Sequence, residues 1–467
     1  MEIVIVTPEM VPFAKTGGLA DVCGALPKEL AKLKNKVYTF MPKYKAVQVK
    51  TEKELELIVE NEEVFIEKVE SDGVIYYFVA CPKYFDRDFL YGTKDGDYPD
   101  NDRRFILFNR AVLLAIKEFK IKPDIIHCHD WQAGLISGYI KRVFKDPFYD
   151  GIKTVFTIHN IGYQGLFSKD AMLLAGFSED EWHYERLEYW GKFSFLKAGL
   201  VYSDIITTVS PTYSEEIKTE EFGYGLEGVL RAKSNSLFGI INGIDYTYWQ
   251  PENDKAIPYN YDEKTLDNKI KNKLYLQKEM GIAEDENIFL IGMVTRLSDQ
   301  KGLDITADSI DEIVNLGIQF VVLGTGEDKY HKIFGELAEK YKGKIGVNIK
   351  FDDSLARRIY ASCDSFLIPS RYEPCGLTQM VALKYGTIPI VRKTGGLADT
   401  IRDSENGFVF FDYTKDALVS CIKKAGDCFM DKKIWNHMVK KGMKEDFGWA
   451  RSAEEYLRIY KIAIHKD

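Results

Sequence analysis

The amino-acid sequence predicts an α/β protein with two doubly wound domains. Short β-branched runs alternate along the chain with Gly-containing loops and amphipathic segments, which is the pattern of repeated βαβ units. The chain has 467 residues, more than one ordinary domain of roughly 100–200 residues contains. We therefore expect two large α/β domains, each with its own core.

Eight segments have the composition of buried parallel strands, because many of them are apolar on both faces. They are 3–6, 124–128, 154–158, 205–209, 288–294, 319–323, 365–368 and 388–391. Amphipathic segments predict helices at 20–33, 303–315, 377–385 and 450–465.

The boundary between the domains is predicted from a break in this pattern. Residues 246–272 are polar and weakly periodic, and a new strand–loop–helix series begins at 288. We assign residues 1–245 to a first Rossmann-like domain, 246–450 to a second, and 451–467 to a C-terminal helix. Two such domains in tandem predict a deep cleft, and ligands bind beyond the carboxyl ends of such strands.

Composition excludes several classes of protein. Lys and Arg total 63 against 71 Asp and Glu, a formal charge of −8, whereas a protein that binds nucleic acid normally carries a basic surplus. No apolar stretch approaches the ~20 residues that span a membrane. We expect no signal peptide, because the first predicted strand begins at residue 3. Seven cysteines without a CxxC pair indicate a reducing, cytoplasmic compartment.

One heptapeptide, KTGGLAD, occurs twice, at 15–21 and 393–399, each time between a predicted strand and a predicted helix. A Gly-Gly pair at the start of a helix presents N–H groups that suit an anion, and the preceding Lys could pair with phosphate. A single copy is as well explained by a tight turn, but two copies favour a divided anion site. Since neither a Walker A sequence nor GxGxxG follows the first strand, a P-loop enzyme or simple dehydrogenase is disfavoured.

Two loops of the second half carry further candidates. Arg296 and Lys301 follow the strand at 288–294, where two cations could hold a diphosphate and neutralise it as it leaves. The alternative is a solvated loop with incidental charges. Glu373 lies in a Pro- and Gly-containing turn before the helix at 377–385, where a carboxylate could accept hydrogen bonds from sugar hydroxyls; a structural helix cap is the alternative.

Histidines and aromatic residues gather in loops of the first half. His127 and His129 would face the same way along a strand, so a metal site is conceivable, but local hydrogen bonding is the favoured interpretation. The DGD sequence at 95–97 resembles a metal-binding motif, although a solvated loop is favoured there too. Aromatic residues suited to stacking on sugar rings are Trp131, Tyr163, Trp182, Tyr184, Tyr189 and Trp190.

Seven motifs, in order along the chain, resemble those of bacterial glycogen synthases and plant starch synthases, which are retaining glycosyltransferases of the GT-B fold. The resemblance runs from the first strand to about residue 450. The motifs are KTGGLADVCGALPKEL (15–30), HCHDWQAGL (127–135), TIHNIGYQG (157–165), NGID (242–245), RLSDQKGLD (296–304), SRYEPCGLTQ (370–379) and RKTGGLADTI (392–401).

The resemblance implies transfer of glucose from ADP-glucose to the non-reducing end of an α-1,4-glucan, with retention of configuration and with neither cofactor nor metal. It also implies that the C-terminal helix crosses back to the first domain. That first domain would hold the acceptor and the second the nucleotide sugar. No carboxylate is forced into the role of nucleophile, so we expect same-face attack assisted by the leaving group. The expected location is the bacterial cytoplasm, although a mature plastid enzyme would share these features.

Site residues follow from the same resemblance. Those implied to be catalytic are Lys15, His159, Arg296, Lys301 and Glu373. Those implied to bind the donor are Lys15, Gly18, Asn242, Arg296, Lys301, Cys375, Gly376, Leu377 and Thr378. Those implied to lie on the acceptor side are Asp21, Tyr91, Asp130 and Trp131. Two alternatives remain at this point: a related GT-B enzyme with a small sugar acceptor, such as a sucrose- or trehalose-phosphate-type enzyme, and a non-catalytic glucan-binding scaffold.

Overall fold

The computed structural model describes residues 1–466 and divides the chain into two compact units. The first unit contains Met1–Gly243 together with the residues from Trp449 onward, and the second contains Ile244–Gly448. The polar stretch 246–272 belongs to the second unit, where Tyr261 is buried and donates to the carbonyl of Tyr385 at 2.7 Å.

The first unit is built on a nine-stranded sheet with the order β14-β13-β9-β8-β1-β2-β5-β4-β3. Its strands in chain order, including the short ones outside this sheet, are β1 (Glu2–Val6), β2 (Lys36–Pro42), β3 (Glu52–Val59), β4 (Glu62–Ser71), β5 (Val74–Ala80), β6 (Gly92–Thr93), β7 (Gly96–Asp97), β8 (Ile125–His129), β9 (Lys153–Ile158), β10 (Leu166–Phe167), β11 (Glu188–Tyr189), β12 (Lys192–Ser194), β13 (Ile205–Thr208) and β14 (Leu237–Gly239). Pairing is parallel from β14 to β5 and antiparallel from β5 to β3.

Helices pack on this sheet, and the first of them begins directly after the extended residue Gly17. They are α1 (Gly18–Lys32), α2 (Pro82–Phe85), α3 (Asn101–Glu118), α4 (Leu135–Gly138), α5 (Lys169–Leu174), α6 (Phe195–Tyr202), α7 (Pro211–Glu216) and α8 (Glu227–Ala232). Gly17 precedes α1 in an extended conformation, and the helix buries an apolar face that includes Val22, Leu26 and Leu30.

The second unit has a six-stranded parallel sheet with the order β17-β16-β15-β18-β19-β20. Its strands are β15 (Leu290–Val294), β16 (Gln319–Gly324), β17 (Ile345–Ile349), β18 (Ser365–Ile368), β19 (Ile388–Arg392) and β20 (Phe408–Phe410). Its helices are α9 (Asp267–Glu279), α10 (Leu303–Asn315), α11 (Asp328–Lys340), α12 (Asp353–Ser362), α13 (Thr378–Lys384), α14 (Gly395–Thr400), α15 (Lys415–Met430) and α16 (Lys432–Met443).

The last helix, α17 (Trp449–Ile464), returns to the first unit. Its apolar residues recur at helical spacing and are buried, which is why the segment folds as a helix against the unit; they include Trp449, Ala453 and Tyr456. Buried Tyr460 bonds to His127 Nδ1 on β8 at 2.7 Å, and Ser452 donates to the carbonyl of Ile241 at 2.6 Å.

The eight predicted strands and the four predicted helices are confirmed within a few residues at their ends. The prediction missed the four strands from β2 to β5. The strands β3 and β4 carry charged residues on an exposed face, whereas β2 and β5 are buried apolar strands that it also left out. The stretch 95–97 is exposed and lies in the two-stranded hairpin β6–β7. Within residues 1–466, no helix is long and apolar enough to cross a membrane.

Replacement of Tyr460 by Phe is expected to destabilise the first unit by about 1–3 kcal/mol, because it leaves the buried His127 Nδ1 without its partner. Urea unfolding measures this change. Arg458→Ala on the exposed face of α17, which breaks only the surface pair with Glu455, is the control and should cost less than ~1 kcal/mol. Equal stability of the two variants would show that this hydrogen bond does not anchor α17.

Candidate active site

Each sheet has a strand at which its winding direction reverses, and doubly wound sheets bind ligands at that point. In the first unit β1 is paired with β2 on one side and β8 on the other. In the second unit β15 is paired with β16 and β18. The loops that leave β1, β8, β15 and β18 contain most of the predicted site residues.

In the second unit, Lys301 and Glu373 meet at the ends of β15 and β18. Lys301 Nζ lies 2.7 Å from Glu373 Oε2, with both side chains mostly buried, and buried Ser370 donates to the same oxygen at 2.8 Å. Gly302 permits this approach: its φ is +72°, and a Cβ there would lie 2.1 Å from the carbonyl oxygen of Pro369. The Glu373 carboxylate is therefore held by two donors before any substrate binds.

Arg296 lies on the exposed side of the same loop pair. Its guanidinium donates to Gln300 Oε1 at 3.3 Å, and Gln300 in turn donates to the carbonyl of Tyr372 at 3.2 Å. Arg371 N–H donates to the carbonyl of Gln300 at 2.9 Å. Gln300 thus ties the cationic loop to the turn that contains Glu373.

The turn after Glu373 leads directly into α13. Cys375 is buried, Gly376 has φ +69°, and Gln379 donates to the carbonyls of both residues at 3.0 and 2.9 Å. Leu377 precedes the helix and Thr378 is its first residue. Backbone N–H groups at the start of a helix have no partner within the helix, so this turn can offer donors to an oxyanion.

The two KTGGLAD copies have different environments. Lys15 to Gly18 are exposed, Lys15 pairs with Asp21 at 2.7 Å, and no described atom outside the local chain would lie within 4 Å of a Cβ on Gly17. Gly395 and Gly396 are instead buried, and Gly396 N–H donates to the carbonyls of Glu373 and Pro374 at 3.2 Å each.

The divided anion site predicted from the repeat is therefore wrong for the second copy. A Cβ on Gly395 would lie 1.9 Å from the carbonyl oxygen of Glu373, and one on Gly396 would lie 2.1 Å from that of Cys375. Glycine is needed there so that α14 can pack against the turn containing Glu373. The first copy alone keeps an open glycine loop at the start of a helix.

Sequence reasoning missed Glu9, which fixes that open loop. This buried carboxylate accepts hydrogen bonds from the N–H and hydroxyl of Thr16, each at 2.5 Å, and from Gly17 N–H at 3.3 Å. Tyr91 donates its hydroxyl to Glu9 at 2.7 Å, which places Tyr91 behind the loop. The only sequence signal was an acidic residue between a buried strand and a Gly-Gly pair.

Asp130 and His159 meet at the ends of β8 and β9. Asp130 is buried with a left-handed backbone (φ +55°), and its Oδ1 accepts from His159 N–H at 2.7 Å. Burial raises the pKa of Asp130 to about 7 and lowers the pKa of His159 to about 3. His159 is thus a neutral ring, joined at 2.9 Å to His129, whose pKa burial also lowers.

Trp131 and Asn242, the last two residues assigned to the site by resemblance in the first unit, are buried. Trp131 packs its ring against Phe105, with centroids 4.9 Å apart, so its ring lies in the core. Asn242 is buried, and its Oδ1 lacks a hydrogen-bond partner among residues 1–466, which leaves an acceptor for a bound molecule.

The metal alternative for His127 and His129 is wrong for His127, because both of its ring nitrogens are engaged. They lie 2.7 Å from Tyr460 Oη and 2.6 Å from Thr157 Oγ1. Over the described part of the chain, no three His, Cys, Asp or Glu side chains are grouped so as to hold a metal ion.

Comparisons with known proteins bear on this architecture. A family model described as "Starch synthase catalytic domain" matches residues 2–232, and one described as "Glycosyl transferases group 1" matches residues 276–440. A sucrose-phosphate synthase from Thermosynechococcus elongatus covers 99% of this chain and 98% of its own at a TM-score of 0.63 and 16% identity, which shows a shared fold only. The chain is a glycosyltransferase with the GT-B fold.

More similar proteins narrow this class. Glycogen synthases from Thermosipho melanesiensis and Geotalea daltonii are each 44% identical to the chain, which they cover fully, with 100% and 99% of their own lengths matched. The catalytic domain of starch synthase IV from Arabidopsis thaliana, solved with ADP and acarbose, superimposes with a TM-score of 0.90 at 33% identity over 99% of both chains. The chain belongs to the glycogen and starch synthase family, and the predicted fold class and enzyme class are confirmed.

Replacement of Asp130 by Asn is expected to change how stability depends on pH. Because the pKa of Asp130 is about 7 in the folded state against an ordinary 3.8, the folded protein holds this proton between these values, and the contribution of Asp130 to the free energy of unfolding should fall as pH rises from about 4 to about 7. Asp130→Asn removes this contribution, whereas Asp180→Asn, at an exposed position, should keep it. Parallel pH profiles of wild type and Asp130→Asn in urea unfolding would refute the raised pKa.

Proposed function

We propose that this protein transfers glucose from ADP-glucose to the non-reducing end of an α-1,4-glucan, with retention of configuration and without a metal ion. Family membership supports an α-glucan synthase, and the ADP-bound starch synthase IV supports an adenine nucleotide as the donor's carrier. The observation that carries the proposal is the set of Arg296, Lys301 and Glu373 at the reversal point of the second sheet.

The leaving group is a nucleoside diphosphate, which gains negative charge as the sugar departs. Arg296 and Lys301 supply fixed positive charge for it, and Thr378 with the N–H groups at the start of α13 supplies further donors. In the first unit, Lys15 and Gly18, at the open loop fixed by Glu9, are assigned to the phosphate next to the sugar.

The glucosyl unit is assigned to Glu373, His159 and Asn242. Glu373, with the backbone of Cys375, Gly376 and Leu377, would accept or donate hydrogen bonds to the sugar hydroxyls. His159 is neutral, so it can hydrogen-bond to the sugar without adding positive charge beside an oxocarbenium-like centre. Asp21, Tyr91, Asp130 and Trp131 complete the acceptor side, Trp131 through its packing beneath the loop.

We further propose same-face attack rather than a covalent intermediate on Glu373. One of its carboxylate oxygens accepts from both Lys301 and Ser370, and donors that stabilise a carboxylate also weaken it as a nucleophile.

Between residues 1 and 466 no disulfide joins any cysteines, which supports the expected reducing, cytoplasmic location.

The reaction is tested by incubating the purified protein with maltotriose and either ADP-glucose or UDP-glucose. We expect maltotetraose and longer products with the release of ADP, and slower transfer from UDP-glucose. Sucrose or trehalose phosphate products from fructose- or glucose-phosphate acceptors would support the small-acceptor alternative instead.

The same assay after dialysis against EDTA tests the absence of a metal requirement. We expect an unchanged rate, because positive side chains neutralise the leaving group. A rate abolished by EDTA and restored by Mg²⁺ or Mn²⁺ would contradict this part of the proposal and leave the identity of the reaction standing.

Lys301→Ala and Arg296→Ala are each expected to lower kcat by about 10²–10³-fold, because each removes charge that stabilises the departing diphosphate. Lys340→Ala, which removes from α11 an exposed cation paired with Asp311, is the control and should retain full activity. Near-normal kcat in the Lys301 or Arg296 variant, with an unchanged thermal midpoint, would show that the leaving group is not bound there.

A further inference from the structure

Two exposed aromatic residues of the first unit have backbone conformations that aromatic residues rarely adopt. Trp190 has φ +48° and Tyr224 has φ +49°, and each is followed by a glycine with positive φ, Gly191 at +75° and Gly225 at +77°. A left-handed backbone costs an L-residue roughly 1–2 kcal/mol. Asn, Asp or Gly normally occupies such positions.

The position of Trp190 is the clearer case. Tyr189 pairs with Lys192 across the antiparallel hairpin β11–β12, so Trp190 and Gly191 form a two-residue turn in which both φ values are positive. The Trp190 side chain is 82% exposed and so gains little burial that could offset its strained backbone. Strain of this kind is retained at sites that bind something outside the chain.

Three loops hold these rings beside one another. A Cβ on Gly225 would lie 3.2 Å from Trp190 Nε1, and one on Gly162 would lie 3.6 Å from the Tyr224 ring. The carbonyl of Tyr224 accepts from the Tyr189 hydroxyl at 2.5 Å.

Gln164 joins the third loop to the other two, because its side chain donates to the same Tyr224 carbonyl at 2.9 Å. Tyr163, which precedes it, is 52% exposed, and Tyr224 is 41% exposed. The loops that carry the three rings are therefore joined by hydrogen bonds to the Tyr224 carbonyl.

This aromatic surface belongs to the same loop as the candidate site. Residues 160–165 follow His159 directly, and Gly165 (φ +59°) lies against the Trp131 ring, with a Cβ there 2.4 Å from Trp131 Cε3. The surface is thus continuous in the chain with the residues assigned to the sugar and the acceptor. Its exposed rings, Tyr163, Trp190 and Tyr224, each combine an apolar ring with one polar atom, and rings of this kind can stack on the C–H faces of sugars.

We propose that Tyr163, Trp190 and Tyr224 form an aromatic platform that binds an α-1,4-glucan chain by stacking on its glucose units, outside the residues that act on the reacting end. The inference rests on the proposed function, since that function makes an α-glucan the long substrate that this protein must retain. The platform raises affinity for long chains and does not take part in the chemical step.

The test replaces Trp190 by Asn, which removes the ring and suits the left-handed backbone. We expect the thermal midpoint to stay constant or rise, while the KM for glycogen rises about three- to tenfold, as loss of one stacking contact predicts. The KM for maltotriose, the KM for ADP-glucose and kcat should stay constant. In native gels containing glycogen, the variant should migrate faster than the wild type, and Tyr163→Ala combined with Trp190→Asn should migrate faster still.

The matched control is Tyr275→Asn, which removes an exposed ring from α9 of the second unit and should leave migration in glycogen unchanged. Equal retardation of wild type and Trp190→Asn by glycogen, or no retardation of the wild type, would overturn the platform. Size-exclusion chromatography tests a protein interface instead. If the wild type self-associates, and Trp190→Asn alters only its elution volume and not its migration in glycogen, the platform is also overturned. Migration in the gel does not depend on catalysis. If Trp190→Asn loses retardation but the wild type does not consume ADP-glucose, the proposed function is contradicted and the platform is still supported.

Discussion

The contact between Lys301 and Glu373 is the interaction on which the candidate site of the second unit depends. It joins residues that are 72 positions apart in the chain, and it exists because β15 and β18 are neighbours in a parallel sheet whose carboxyl ends lie at one edge. Ser370 holds the same carboxylate oxygen, while Gly396 N–H holds the carbonyl of the same glutamate. Side chain and backbone of Glu373 are therefore oriented in advance, so substrate binding need not order them.

The repeated heptapeptide shows how far a local motif can be interpreted without its surroundings. Both copies begin a helix at their glycines, as the sequence predicted. In the first copy, Glu9 accepts hydrogen bonds from the loop backbone on one side, and the other side of the loop is exposed. In the second copy, any side chain in place of the glycines would collide with the carbonyl oxygens of Glu373 and Cys375. The same seven residues thus serve an open loop in one unit and close backbone packing in the other.

The sequence was sufficient for the fold class because eight segments with the composition of buried parallel strands were enough to predict two α/β domains, and all eight are present. It was not sufficient for every strand, since buried β2 and β5 were missed. It was sufficient for the candidate site only where motifs placed residues at strand ends, as with Arg296 and Glu373. Glu9 belongs to no spacing pattern. Its role in fixing the loop depends on hydrogen bonds from Thr16, Gly17 and Tyr91, which form only in the folded chain. The left-handed backbone of Trp190 was equally hidden, because a Trp-Gly pair is not a turn signal that sequence statistics favour.

The two units differ in the charged side chains that they place near their reversal points. The second unit contributes two cations, Arg296 and Lys301, and the carboxylate of Glu373, which pairs with Lys301. The first contributes the buried acids Glu9 and Asp130 together with neutral His159, and its one lysine in the loop, Lys15, is paired with Asp21. As the glycosidic bond to the diphosphate breaks, negative charge gathers on the leaving group and positive charge on the sugar. Under the proposed function, Arg296 and Lys301 would meet the charge on the leaving group, and the neutral ring of His159 would add no positive charge beside the sugar.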